Sequence, residues 1–254
     1  MPIFTFPYRM AHLVPRLLAA LGLGGSLAAA GLLLVGLRPA PDARFADRWV
    51  DPEKEPITLH WKDGQGRIMG NIGALEQEMK RTGRTLRFAM NGGMYDPQQA
   101  PVGLYVEDGR TLHKLNTATG GTGNFTMQPN GVFGIEADGR AFVRTTAAMK
   151  QAPTPRHATQ SGPMLLVDSV VNAQFRQGST NLHIRNAVGI RPDGTLLFTI
   201  SREPVNFFDL ATHLKEQGCT DALYFDGAVS RAYIPEQGLK QLDGVLGVMV
   251  AVVD

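Results

Sequence analysis

The chain has 254 residues, 43% of them hydrophobic and 19% charged, with a formal net charge of +2. That balance excludes a disordered chain, and the lack of any basic stripe or cluster speaks against nucleic acid as a partner. A single cysteine, Cys219, excludes an intramolecular disulfide. The length allows one large domain or two small ones with a sizeable core. The 29 glycines imply many turns and a sheet-rich fold. Residues 1–41 carry Arg9, Arg16 and Arg38 and no acid, which leaves 22 bases against 23 acids in the remainder.

Residues 17–37 run for 21 positions without a charge. As a helix they span roughly 30 Å, the thickness of the hydrocarbon layer. Arg9, His12 and Arg16 precede them, so the expected orientation has residues 1–16 in the cytoplasm and the domain outside it. A cleaved signal peptide with its site near Ala28-Ala29-Ala30 is the rival, but its apolar core would be shorter. The expected location is thus the cell membrane in a single pass, with a periplasmic domain in a Gram-negative cell, or a secreted domain if the segment is removed. Residues 38–55, punctuated by Pro39, Pro41 and Pro52, read as a linker into a domain at 56–254.

In that domain, 57–61 alternates apolar and polar residues as a first strand. Asn71 reads as a helix N-cap, with Ile72, Leu75 and Met79 on one face and Gly83 as the stop. A buried strand at 86–90 runs into Asn91-Gly92-Gly93. Asp108-Gly109, Asp138-Gly139 and Asp193-Gly194 each sit between two apolar runs and predict three hairpins. A strand at 164–167 follows the second hairpin. Asn206 caps a helix whose stripe is Phe207, Leu210, Ala211 and Leu214, closed by Gly218. Cys219 follows as a small buried apolar residue. The strand 222–225 ends on Asp226-Gly227, and 245–253 is an apolar closing strand fit for a sheet centre. The expected fold is α+β, a large mixed and mostly antiparallel sheet with hairpins and a few packing helices, preceded by one transmembrane helix.

Four strand ends carry polar side chains, three of them beside glycine. They are Asn91-Gly92-Gly93, Gln160-Ser161-Gly162-Pro163, His183-Ile184-Arg185-Asn186 and Asp226-Gly227. A carboxylate at the end of a buried strand is held rigidly and can face a cleft. Arg185 offers a planar fork that suits phosphate or carboxylate. Ser161 lacks the frame of a nucleophile elbow and reads better as a hydroxyl donor to a ligand. The six histidines show no zinc spacing, the acids no calcium-loop frame, and no nucleotide-binding loop is present, so no metal or cofactor is expected.

Taken in order, these pieces resemble the phosphodiester glycosidase family. The marks are NGGMY at 91–95, VGLYVEDGR at 102–110, NGVFGIEADGR at 130–140, SGPMLL at 161–166, RNAVGI at 185–190, PVNFFDLATHL at 204–214 and YFDGAVSRAYI at 224–234. The family commonly follows its aspartate with three glycines and a serine. Here Asp226 is followed by Gly227-Ala228-Val229-Ser230, whose bulk is expected to narrow the loop beside the carboxylate. The resemblance implies hydrolysis of a sugar-1-phosphodiester, whether free or on a glycan, and leaves the sugar open. Within it Asp226 would stabilise the oxocarbenium-like transition state or activate water. Arg185 and the Gly92 and Gly93 amides would bind the departing phosphate. Asn91 and Ser161 would orient sugar hydroxyls or water, with Gly162, Gly227 and Ser230 as further substrate-binding positions. The alternative functions are a non-catalytic, membrane-tethered binder of envelope glycans or glycolipid phosphates and, third, a serine hydrolase through Ser161.

Overall fold

A computed structural model describes residues 42–226 and 229–254. The expected cytoplasmic segment and membrane anchor, 1–37, lie outside the described residues, as do the first part of the linker and Gly227. Among the described residues no helix is long and apolar enough to cross a membrane.

In chain order the elements are β1 (Phe45–Val50), β2 (Ile57–His60), α1 (Ile72–Arg81), β3 (Leu86–Asn91), β4 (Tyr105–Glu107), β5 (Arg110–His113), β6 (Gly131–Ile135), β7 (Ala141–Thr145) and α2 (Thr146–Met149). They continue with β8 (His157–Ser161), β9 (Met164–Val167), β10 (Val170–Val171), β11 (Asn186–Ile190), β12 (Leu196–Ser201), α3 (Phe207–Glu216), β13 (Asp221–Tyr224), β14 (Ala232–Ile234), β15 (Leu239–Lys240) and β16 (Met249–Val253). The fold is α+β, and the strand pairings described are antiparallel.

The strands form three sheets where one large sheet was expected. Six strands run in the order β1-β12-β11-β13-β9-β10, five in the order β15-β14-β3-β16-β2, and five in the order β5-β4-β8-β6-β7. Each sheet turns one face toward a shared apolar core. Phe88, Met90, Phe133, Phe198, Leu223 and Val250 meet there. The residues between them face outward and are covered in their turn. Leu210, Ala211 and Leu214 of α3 lie over Ala187, Leu197, Ala222 and Tyr224. Ile72, Leu75 and Met79 of α1 lie over Ala89, Met249 and Ala251. Burial on both faces explains why these strands read as unbroken apolar runs.

The two helix caps form as the sequence implies. The side chain of Asn71 accepts from the Ala74 N–H, and that of Asn206 from the Asp209 N–H. The linker reading of 38–55 is corrected, because 45–50 is strand β1. It pairs along its length with β12, from Phe45 opposite Ser201 to Val50 opposite Leu196. Its central Asp47 is held by the Thr199 hydroxyl at 2.6 Å and by the His213 ring at 3.0 Å, so a charged residue sits comfortably in mid-strand. The closing strand begins at Met249, four residues later than expected.

Candidate active site

One corner of the molecule collects the ends of all three sheets. Asn91 ends β3, Ser161 ends β8, Asn186 opens β11, and Asp226 follows β13 by two residues. Register makes the meeting specific. Ala187 stands opposite Tyr224, so Asn186 reaches the backbone of Phe225 and Asp226. The Phe225 N–H donates to the Asn186 carbonyl at 3.2 Å, and the Asp226 N–H to Asn186 Oδ1 at 3.4 Å.

A knot of neutral side chains fixes the Asp226 segment. Asn91 Nδ2 donates to the Asp226 carbonyl at 3.2 Å. Asn91 Oδ1 accepts from Asn186 Nδ2 at 3.0 Å and from the Arg231 N–H at 2.8 Å. The Ser230 hydroxyl lies 3.0 Å from the Asp226 carbonyl and 3.1 Å from that of Ile184. Ser161 donates to the Phe225 carbonyl. Asn91, Ser161, Asn186 and Ser230 are all buried, whereas Asp226 lies at the edge of burial with 9% exposure. The negative charge of Asp226 reaches two phenols. Burial first, and then that charge, push Tyr95 up to about 12. Tyr224 is pushed up to about 12 by burial, with Arg185 opposing and Asp226 adding.

Several positions expected to touch a ligand are instead engaged with the protein. Asn91 positions the Asp226 loop with both ends of its amide. The Ser161 hydroxyl is fully buried on a backbone carbonyl, which removes it as an exposed donor or nucleophile. The Gly92 N–H donates to the Val248 carbonyl at 2.8 Å and is not presented to a phosphate. Gly93 and Gly162 serve close approach. A Cβ on Gly93 would lie 2.6 Å from the Gln160 carbonyl oxygen, and one on Gly162 would lie 2.7 Å from Asn130 Cβ. Ser230 acts on the backbone of the Asp226 turn. Val229 is partly buried and packs against the α1 cluster.

Arg185 is placed differently. Only 1% of it is exposed. Its Nε donates to the Val205 carbonyl at 2.8 Å, Nη1 to the Tyr224 hydroxyl at 3.3 Å, and Nη2 to the carbonyl and Oδ1 of Asn181 at 3.1 and 2.7 Å. The guanidinium lies 3.8 Å from the centre of the Phe207 ring, a cation–π contact. Burial lowers its pKa, opposed by the Tyr224 hydroxyl. The fork expected to face a phosphate is therefore largely committed to the chain, and Tyr224 is the side chain that joins Arg185 to the Asp226 neighbourhood. Sequence reasoning gave no role to Asn186, which closes one of the strand ends it named, or to Tyr224, two residues before Asp226.

Beside this cage lies a cavity of about 480 Å³ bounded by Asn124, Phe175, Gln177, Asn181 and Phe207. Among the described residues no group of three or more His, Cys, Asp or Glu side chains is placed to hold a metal ion.

With this geometry in hand, the comparisons define the class. The profile of the family described as phosphodiester glycosidase matches residues 84–244, which span β3 to the loop before β16. The chain belongs to the phosphodiester glycosidase family, a family of glycosidase-type hydrolases. It is 37% identical over 186 residues to the uncharacterised protein YigE of Escherichia coli, covering 73% of this chain and 72% of that one. Its fold is similar to the catalytic domain of zebrafish N-acetylglucosamine-1-phosphodiester alpha-N-acetylglucosaminidase, auto-inhibited by its pro-peptide. There the TM-score is 0.57 at 14% identity, over 85% of both chains. A putative exported protein of Burkholderia pseudomallei shares the fold with a TM-score of 0.52 at 14% identity, over 82% of this chain and 73% of that one.

Proposed function

We propose that the protein hydrolyses the glycosidic bond between the anomeric carbon of a sugar and a phosphodiester, with Asp226 as the reacting carboxylate. The observation that carries this reading is the convergence of three sheet ends on one strand-end acid. Asp226 is held through its backbone by Asn91, Asn186 and Ser230 and still has part of its surface open. Cleavage of a glycosidic bond builds positive charge at the anomeric carbon, and a carboxylate fixed beforehand stabilises that charge without reorganising. The same group can instead take a proton from the attacking water. The departing phosphate monoester needs charge neutralisation more than a strong acid.

Arg185 supplies that neutralisation in a form modified by its burial. Its charge sits in a low-dielectric cage, where it acts over a longer range than in water. Because the Tyr224 oxygen accepts from Nη1, the hydrogen of that phenol is free to point elsewhere. The zebrafish structural relative is named for an N-acetylglucosamine-1-phosphodiester, which supports the same bond class here. We also propose that the domain works outside the cytoplasm, carried there by residues 17–37. Sequencing the N-terminus of the protein recovered from membranes distinguishes an anchor from a removed signal.

The test is product analysis. Purified protein incubated with a panel of sugar-1-phosphodiesters should release a reducing sugar and a phosphate monoester, read by phosphorus and proton NMR. Release of a free alcohol and a sugar phosphate would instead place the cut on the other side of the phosphorus and overturn the glycosidase reading.

A further inference from the structure

We propose that the cavity over Phe175 and Phe207 is a subsite for a polyhydroxylated part of the substrate, an oligosaccharide extending beyond the reacting sugar. The proposal rests on the hydrolase reading for the word substrate, but its chemistry is read from the cavity alone. At about 480 Å³ the space suits a ligand of several rings or branches. Its floor is aromatic. The rings of Phe175 and Phe207 stack with centres 5.0 Å apart at 19°. The other side of Phe207 is covered by the Arg185 guanidinium, so the outer face of Phe175 is the one left to take the apolar face of a sugar ring.

The walls are amides and one guanidinium. Asn124, Gln174, Gln177 and Asn181 line the cavity together with the exposed Arg176, and among the described lining residues there is no carboxylate. Two of these amides are already oriented. Asn181 Oδ1 accepts from Arg185 Nη2 at 2.7 Å, and Gln174 Nε2 donates to the Gln128 carbonyl. Their remaining ends, the Asn181 amide nitrogen and the Gln174 oxygen, are thereby fixed as one donor and one acceptor. A wall that offers both to a stacked ring matches hydroxyl groups, which donate and accept in turn. A cationic ligand finds no opposite charge there, and a purely apolar one would leave the amides without partners.

The position also fits. Phe207 meets Tyr224 edge-on at 4.8 Å and 89°, and Tyr224 lies two residues before Asp226. The Phe207 and Tyr224 rings thus stand between an occupant of the cavity and the strand end that carries Asp226. It also touches Asn181, the residue that holds Arg185 in its cage. Binding there is coupled to the placement of the buried cation.

The experiment is an array of phosphate-free oligosaccharides probed with the full chain, followed by calorimetry on the best binder. The wild-type protein should bind a subset of the array, and Phe175→Ala should weaken that binding about tenfold or more. The exposed Gln177→Ala serves as a second variant whose folding is not in question, with a loss of about threefold expected. No binding by the wild type, or binding unchanged in both cavity variants, overturns the proposal. If the cavity variants lose binding while no sugar phosphodiester is cleaved by any form, the subsite stands and the hydrolase reading fails.

Discussion

The Asp226 loop and the Arg185 cage lie side by side, yet they hold their charges in opposite ways. Asp226 sits at the edge of burial, with its backbone gripped by three neutral side chains from β3, β11 and its own turn. Arg185 is buried, and its guanidinium is balanced by two carbonyl oxygens, an amide oxygen, a phenol and a ring face. The first arrangement fixes a strand-end acid near the surface through its backbone, which is the form the proposed reaction requires. The second removes a charge from water and compensates it from within, which makes the cation a structural pin as well as a source of field. Stability and turnover should therefore respond in opposite proportion to changes in the two regions.

The largest effect on stability should come from Arg185→Met. It strands the Asn181 oxygens and the Tyr224 hydroxyl, leaves the Val205 carbonyl with the His183 N–H alone, and should cost about 3 kcal/mol in chemical denaturation. Arg185→Lys should recover only part of this, because a point charge cannot serve three directions at once. Equal stability in wild type and Arg185→Met would dissolve the contrast. Asn91→Ala should cost less stability, about 2 kcal/mol, but lower kcat on the order of a hundredfold by loosening the loop that carries Asp226. A stability loss without a kcat loss would show that Asn91 serves the sheet and not the loop.

A pH scan adds a third term. Burial holds His60 down to about 4, with the charges of Arg84 and His157 acting the same way and Asp108 opposing them. Burial also lowers His157. A histidine depressed in the folded state binds more protons once unfolded. Its contribution is fully present above about pH 6.5 and is lost as pH falls toward 4. Melting temperature should drop across that window, by the equivalent of up to about 3 kcal/mol for His60, and His60→Gln should flatten the drop. The smallest effect belongs to Ser161→Ala, with a loss of about 1 kcal/mol, near-normal kcat and no labelling of the wild type by a fluorophosphonate. Labelling at Ser161 would restore the serine-hydrolase alternative.

Much of the fold was legible because its signals are local. Asn71 and Asn206 announce helices through a single side-chain bond each. The Asp-Gly hairpins declare themselves through residues that tolerate positive φ, such as Asp108 at 48° and Gly109 at 74°. Strand β8 was not legible. His157, Thr159, Gln160 and Ser161 look like a polar loop, yet they lie buried between β4 and β6. Their polarity is absorbed by contacts far along the chain, for example Gln160 Oε1 accepting from the Leu104 and Asn116 N–H groups at 2.9 Å. Strand β1 was hidden in the same way behind prolines and a central Asp-Arg pair.

At the site, the sequence marked the polar strand ends, and the structure gathers them at one corner. What no local pattern could reveal is which side chains grip the backbone of the Asp226 segment. Asn91 and Asn186 stand 95 positions apart and meet only because β3 and β11 end together. Nor does the sequence show that three sheets replace one, since that depends on which strands share the core through Phe88, Phe133 and Phe198.

The most direct measurement is single-turnover cleavage of a sugar-1-phosphodiester by Asp226→Asn, with folding checked by circular dichroism and melting temperature. The account predicts a loss on the order of a thousandfold in a protein that melts within a few degrees of the wild type. Cleavage near the wild-type rate by the folded variant would contradict it and move the chemistry away from the corner where the three sheets meet.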